Sequence, residues 1–147
     1  MTRRVRDVMT LHPHSLRADA TLKEAAKEMR EADVANIVVV KDGAICGIVT
    51  DRDIVVSVVA LGLDPAGLQV GDIMTDDLLT ADEHDDVSAT IERMRLRGIR
   101  RVPVVGEGGR LAGIVSADDL LGFLAEEMED LARISPYQQQ HERRVRQ

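Results

Sequence analysis

Residues 47–55 read GIVTDRDIV and residues 113–121 read GIVSADDLL. Each copy runs Gly, two β-branched residues, a hydroxyl, two variable residues, Asp and two aliphatics. The likeness extends well beyond these nine letters. VRDVMT at 5–10 returns as VGDIMT at 70–75, and MREADVANIVVV at 29–40 returns as MRLRGIRRVPVV at 94–105, each 65 positions later. Thr50 and Ser116 stand 66 apart, so the second copy carries one extra residue, expected in the turn, KDGA against GEGGR. Turns absorb insertions readily. A chain that is one unit written twice is too short for a solenoid, which needs three or more repeats. It must pack its two copies against each other.

Each copy has the same internal pattern. Leu22, Ala25, Ala26 and Met29 fall at the i, i+3, i+4, i+7 spacing of an amphipathic helix, and Val87, Thr90, Ile91 and Met94 repeat it. NIVVV and CGIVT flank Asp42-Gly43, a strong hairpin signal, and RVPVV and LAGIV flank a glycine-rich turn. A further helical stretch follows each hairpin, DRDIVVSVVALG and ADDLLGFLAEEMEDLARI, with Gly62 closing the first. The expected unit is a short leading strand, helix, strand, strand, helix. Near-continuous apolar runs such as IVVV imply strands covered on both faces, which a core shared by the two units would supply. The expected boundaries are 3–62 for the first repeat, 63–69 for a linker and 70–125 for the second repeat. The end of the last helix and a polar, mobile tail would then occupy 126–147, with Pro136 marking the break.

Composition narrows the function. With 44% hydrophobic residues but one Phe, one Tyr and no Trp among 147, the core must be aliphatic. A net charge of −7 and the lack of stacking aromatics argue against nucleic-acid binding and against an acidic membrane surface. No run approaches a spanning length, and the basic start lacks a signal-type apolar stretch. Cys46 is the single cysteine, set in a strand-like run as a small buried hydrophobe, so a cytoplasmic setting is expected. His12, His14 and His84 lack the partner spacing of a metal site, and the acidic run 75–86 lacks the order of a calcium loop. No nucleophile–base set and no phosphate-binding glycine loop is present, so no catalytic residue is expected.

The repeated motif itself permits two readings. Thr50 and Ser116 sit where a strand gives way to a helix, and Asp53 and Asp119 follow three residues later. That is the spacing of a capping box, with Asp in place of Glu or Gln. The same carboxylate can instead accept two bonds from vicinal ribose hydroxyls, beside a hydroxyl and free first-turn N–H groups that suit phosphate oxygens.

The unit order, DVMT at the start, the VPVV strand and the repeated motif resemble the CBS domain, and the tandem resembles a CBS pair, or Bateman module, over roughly residues 3–125. The resemblance implies an α/β (α+β) fold of two β-α-β-β-α repeats packed as a pseudo-twofold pair. It implies a regulatory module, not an enzyme, that binds AMP, ADP, ATP or S-adenosylmethionine in two related clefts and signals by changing shape. Magnesium would arrive only with a bound polyphosphate. In the first cleft the resemblance points to Thr50 and Asp53, with Arg52 compensating for the missing cation at Ala35 and Asn36. In the second it points to Ser116 and Asp119, with Arg101 and Pro103 on the preceding strand. Asp118, beside Asp119, would repel phosphate, so the first cleft is expected to bind better. A homodimer formed through the last helix (Leu120, Leu121, Phe123, Leu124, Met128, Leu131) and an unknown regulated protein complete the expectation. The alternative is a ligand-free structural module whose role is dimerisation and contact with a protein partner.

Overall fold

The computed structural model describes residues 3–146. The chain runs α1 (Val5–Val8), β1 (Thr10–Leu11), β2 (Ser15–Arg17), α2 (Leu22–Ala32), β3 (Asn36–Lys41) and β4 (Ala44–Thr50). Then come α3 (Asp51–Ile54), a π-helical stretch (Val55–Val59), α4 (Val70–Ile73), β5 (Ala81–Asp82) and α5 (Val87–Arg97). β6 (Arg101–Val105), β7 (Leu111–Ser116), α6 (Ala117–Ala132) and α7 (Ile134–Arg146) complete it. The fold is a mixed α+β pair of repeats, as the sequence pattern requires.

Local chemistry explains most elements. β3 and β4 turn at Asp42 and Gly43, whose φ values of 53° and 80° are those of a tight primed turn. β6 and β7 turn through the longer 106–110 segment, where the extra residue lies. Helix α2 opens on a reciprocal capping box: the Glu24 amide donates to the Thr21 hydroxyl (3.1 Å) and the Thr21 amide to the Glu24 carboxylate (3.0 Å). Of the expected inward stripe, Leu22, Ala25 and Met29 are buried, while Ala26 lies at the exposed margin. Ile37, Val38 and Val39 are all fully buried, so β3 is covered on both faces.

Two sheets form, ordered β2-β3-β4 and β1-β7-β6-β5. β1 comes from the first repeat but pairs antiparallel with β7 of the second, Thr10 opposite Ile114. The exchange is reciprocal. Val5 and Arg6 amides donate to Asp85 and Glu83 carbonyls, and Val70 and Gly71 amides donate to Ala20 and Ala18 carbonyls, each pair offset by the repeat length. Each leading segment therefore completes the opposite unit, Val5 entering the core with Val102 and Val115, and Val70 that with Ile37 and Val49. There is no single shared core. Two cores form, and burying Val5 and Val70 fully ties each to the other repeat at roughly 1.5–3 kcal/mol per side chain.

Three local expectations are corrected. The leading segments VRDV and VGDI are single helical turns; only the first continues into a strand, and Thr75 in the second makes one bridge to Ile48. The stretch after the first hairpin is α-helical for four residues and then π-helical, closing at Gly62 with φ 68°. The C-terminal segment forms a helix, α7. The break falls at Arg133; Pro136, expected to mark it, is among residues 135–137, whose side chains lie outside those described. No helix among the described residues is long and apolar enough to cross a membrane.

Candidate functional site

The two motifs occupy equivalent places in the two hairpins. Thr50 ends β4 opposite Asn36 of β3, and Ser116 ends β7 opposite Arg101 of β6. Side chains directly opposite in an antiparallel pair share a face with Cβ atoms about 5 Å apart. The second motif therefore has a cation across from its hydroxyl where the first has a neutral amide. The motif glycine also has a role invisible in either copy alone. A Cβ on Gly47 would lie 2.5 Å from Met74 Sδ, and one on Gly113 would lie 2.7 Å from Met9 Sδ and 2.8 Å from the Thr10 carbonyl. The glycine is required because the opposite repeat's leading segment crosses there.

Both hydroxyls cap their helices: the Asp53 amide donates to Thr50 Oγ1 (3.1 Å) and the Asp119 amide to Ser116 Oγ (3.0 Å). The carboxylates then diverge. Asp53 is half-buried and its Oδ2 accepts from the Thr50 amide at 2.9 Å, closing the box. Asp119 is exposed and makes no such bond; its Oδ2 accepts from the Thr10 hydroxyl at 3.2 Å. The exchanged segment thus brings Thr10, a residue the motif does not contain, to the second site. The only signal for it in the sequence is the Met-Thr shared by VRDVMT and VGDIMT, whose destination the sequence does not specify.

The remaining predicted residues divide in the same way. Arg101 is half-buried and, among the described residues, has no ion-pair partner, whereas Arg52 is exposed. Arg100 holds Asp118 at 3.1 Å, so the carboxylate expected to oppose phosphate carries its own cation. That pair is exposed on both sides and adds little stability. Pro103 is buried in β6 opposite Ile114 and lacks an amide proton. Its counterpart Val38 donates to the His14 carbonyl at 2.9 Å. The missing donor accounts for β5 spanning two residues where β2 spans three.

The larger cavities lie elsewhere. One of about 710 Å³ runs between the hairpin tips, lined by His12, Asp42 and Arg110 among others, and one of about 670 Å³ flanks the β3–β4 turn. Neither is lined by a predicted site residue. An apolar cavity of about 540 Å³ between α5 and α6, lined by Met94, Arg100 and Leu120, adjoins the start of α6. His14 pairs with Glu28 at 2.9 Å, and no group of three or more potential metal ligands occurs among the described residues.

Two reciprocally completed hairpin units, each with a hydroxyl–carboxylate motif capping a helix at a strand–helix junction, define a tandem pair of small α+β domains. The CBS domain matches residues 5–60 and 70–126, and the chain belongs to that family. It is 39% identical over 118 residues to an uncharacterized protein of Methanopyrus kandleri, covering 79% of this chain and 57% of that one. It is 34% identical over 122 residues to hypoxic response protein 1 of Mycobacterium tuberculosis, covering 82% of this chain and 85% of that one. The crystal structure of hypoxic response protein I with two coordinated zinc ions superposes with a TM-score of 0.72 at 33% identity, over 82% of this chain and 98% of that one. The CBS domain pair of MJ0100, in complex with 5′-methylthioadenosine and S-adenosyl-L-methionine, gives a TM-score of 0.74 at 26% identity, over 86% and 99%. A CBS pair is a regulatory module, and CBS proteins that stand alone are typically regulatory.

Proposed function

We propose that this CBS pair senses an adenosine-containing ligand (AMP, ADP, ATP or S-adenosylmethionine) and acts as a non-catalytic homodimer on an unidentified protein partner in the cytoplasm. The observation that carries the reading is the exposed Asp119 carboxylate, which lies outside a capping box and accepts from the Thr10 hydroxyl, with Arg101 across from Ser116. Asp119 would hold the ribose hydroxyls, Ser116 and the first-turn amides the ribose and phosphate oxygens, and Arg101 the phosphate through its planar fork. Pro103 would border the adenine. Thr50, Arg52 and Asp53 form the weaker, first cleft, because ligand must displace a closed cap there. Ligand would favour one arrangement of the two units, and the partner would respond to that arrangement. Magnesium would enter only with a polyphosphate. The MJ0100 pair, which holds S-adenosylmethionine and methylthioadenosine, supports the ligand class.

Thermal unfolding with a panel of AMP, ADP, ATP, S-adenosylmethionine and methylthioadenosine tests this. A ligand at a hundred times its dissociation constant adds about 2.7 kcal/mol. One observation favours the second reading, a ligand-free dimerisation module: the Asp53 carboxylate is already spent on its cap. No shift with any of the five compounds would leave that reading standing.

A further inference from the structure

The cavity of about 710 Å³ between the hairpin tips belongs to neither motif. Ala112, which lines it from β7, stands four residues before Ser116, about 13 Å of extended strand. Its volume is within the range of small-molecule sites, about 300–1,000 Å³. Both repeats supply its walls, and an antiparallel bridge between Ala44 and Arg110 ties one tip to the other. Of the eight positive-φ residues among those described, five line it: His12, Asp42, Gly43, Gly108 and Gly109. The hairpin turns account for four of them. His12 stands in no hairpin turn, so its left-handed backbone is strain that the surrounding structure holds in place.

The lining carries both signs of charge. Asp42 and Arg110 line the cavity, one from each tip, and both are exposed. Among the described residues neither has an ion-pair partner, although Arg17, Arg97 and Arg100 hold aspartates at 2.9, 3.1 and 3.1 Å. Of the other charges at the tips, Lys41 lines the neighbouring cavity and Glu107 lines neither. Half-buried Pro13, Val40, Leu111 and Ala112 make the rest of the wall apolar. One cation, one anion and an apolar wall match a molecule that carries a carboxylate, an ammonium and a hydrocarbon chain. We propose that this cavity binds a free α-amino acid with an apolar side chain. The planar fork of Arg110 takes the carboxylate through two parallel bonds, and Asp42 holds the ammonium. The side chain lies against Val40 and Leu111. Such a ligand joins the two tips, so it favours the arrangement in which they meet. The site is separate from the adenosine clefts and does not depend on them.

Titration of the full chain with L-valine, L-leucine and L-methionine, followed by amide NMR, tests this without nucleotide. At least one of them should shift the Gly43, Gly108 and Gly109 amides saturably. Arg110→Gln and Asp42→Asn should each weaken that binding about tenfold or more. Asn keeps the left-handed turn conformation, and unchanged signals elsewhere would show that both variants are folded. A second arm needs no variant: isocaproate lacks the ammonium of leucine and isoamylamine lacks its carboxylate. Each should bind the wild-type chain about tenfold more weakly than L-leucine, or worse. No saturable shift with any of the three amino acids would overturn the proposal, as would binding that survives both substitutions. Equal binding of isocaproate and L-leucine would make the cavity a plain anion site and overturn it too. Shifts centred on Ser116 and Asp119 would place the amino acid in the second motif and overturn the cavity assignment.

Discussion

The helices that follow the two motifs start alike and continue differently. Both are capped by a hydroxyl three residues before an aspartate amide. After Thr50 the chain enters Val55, Val56, Ser57, Val58 and Val59, and the α-helix gives way to a π-helical stretch after four residues. After Ser116 it enters a run of Leu, Ala, Glu and Met, and the α-helix lasts sixteen residues. β-Branched side chains crowd the preceding turn, while straight-chain residues do not. The motif thus sets where a helix begins, and the residues beyond it set how far the helix runs. The same contrast holds at the carboxylates, where Asp53 closes its own cap and Asp119 turns to a hydroxyl from the other repeat.

The sharpest way to break this contrast is calorimetric titration with ADP or whichever panel compound binds. Asp119→Asn should weaken binding about 10- to 150-fold, since bonds to a charged group are worth roughly 1.5–3 kcal/mol. Asp53→Asn should change affinity less than threefold, because that carboxylate serves the cap and Asn caps well. Equal losses would make the two clefts equivalent and remove the distinction.

Next in size is the crossing of the leading segments. Gly113→Ala meets the Thr10 backbone carbonyl at 2.8 Å, whereas Gly47→Ala meets chiefly the flexible Met74 side chain. Urea unfolding should show a loss of about 2–3 kcal/mol for Gly113→Ala and about 1 kcal/mol for Gly47→Ala. The reverse order would mean that the β1–β7 crossing is the more yielding of the two.

The caps come third. Thr50→Ala and Ser116→Ala should each cost about 1 kcal/mol in the same measurement. Thr50→Ala should cost the more, because its hydroxyl belongs to a reciprocal pair. The smallest effect is expected at Pro103→Val, which restores the amide proton present at Val38. Hydrogen exchange should show a protected amide at 103, while stability changes by less than about 1 kcal/mol, the new bond offsetting the added freedom of the unfolded chain.

Much of the molecule was legible because its signals are local. The hairpin at Asp42-Gly43, the stop at Gly62, the caps at Thr50 and Ser116 and the inward faces of α2 and α5 each follow from residues within a few positions. The π-helical stretch was written in the valine run, but helical periodicity registers the apolar spacing and not the crowding. The polar composition of 134–146 carries no apolar stripe to announce α7, because exposed helical residues need none.

The amino-acid sequence by itself determined that there are two units, that each carries a hairpin and a capped motif, and that the core is aliphatic. Only the tertiary structure decided which unit each leading segment completes. The offset of 65 residues is identical whether VRDV stays with its own repeat or crosses to the other, so no pattern along the chain distinguishes the two arrangements. The crossing is decided by packing: Val5 and Val70 find their buried sites, and Met9 and Met74 their glycines, only across the pair. That crossing brings Thr10 to Asp119, and so makes two nearly identical motifs chemically different.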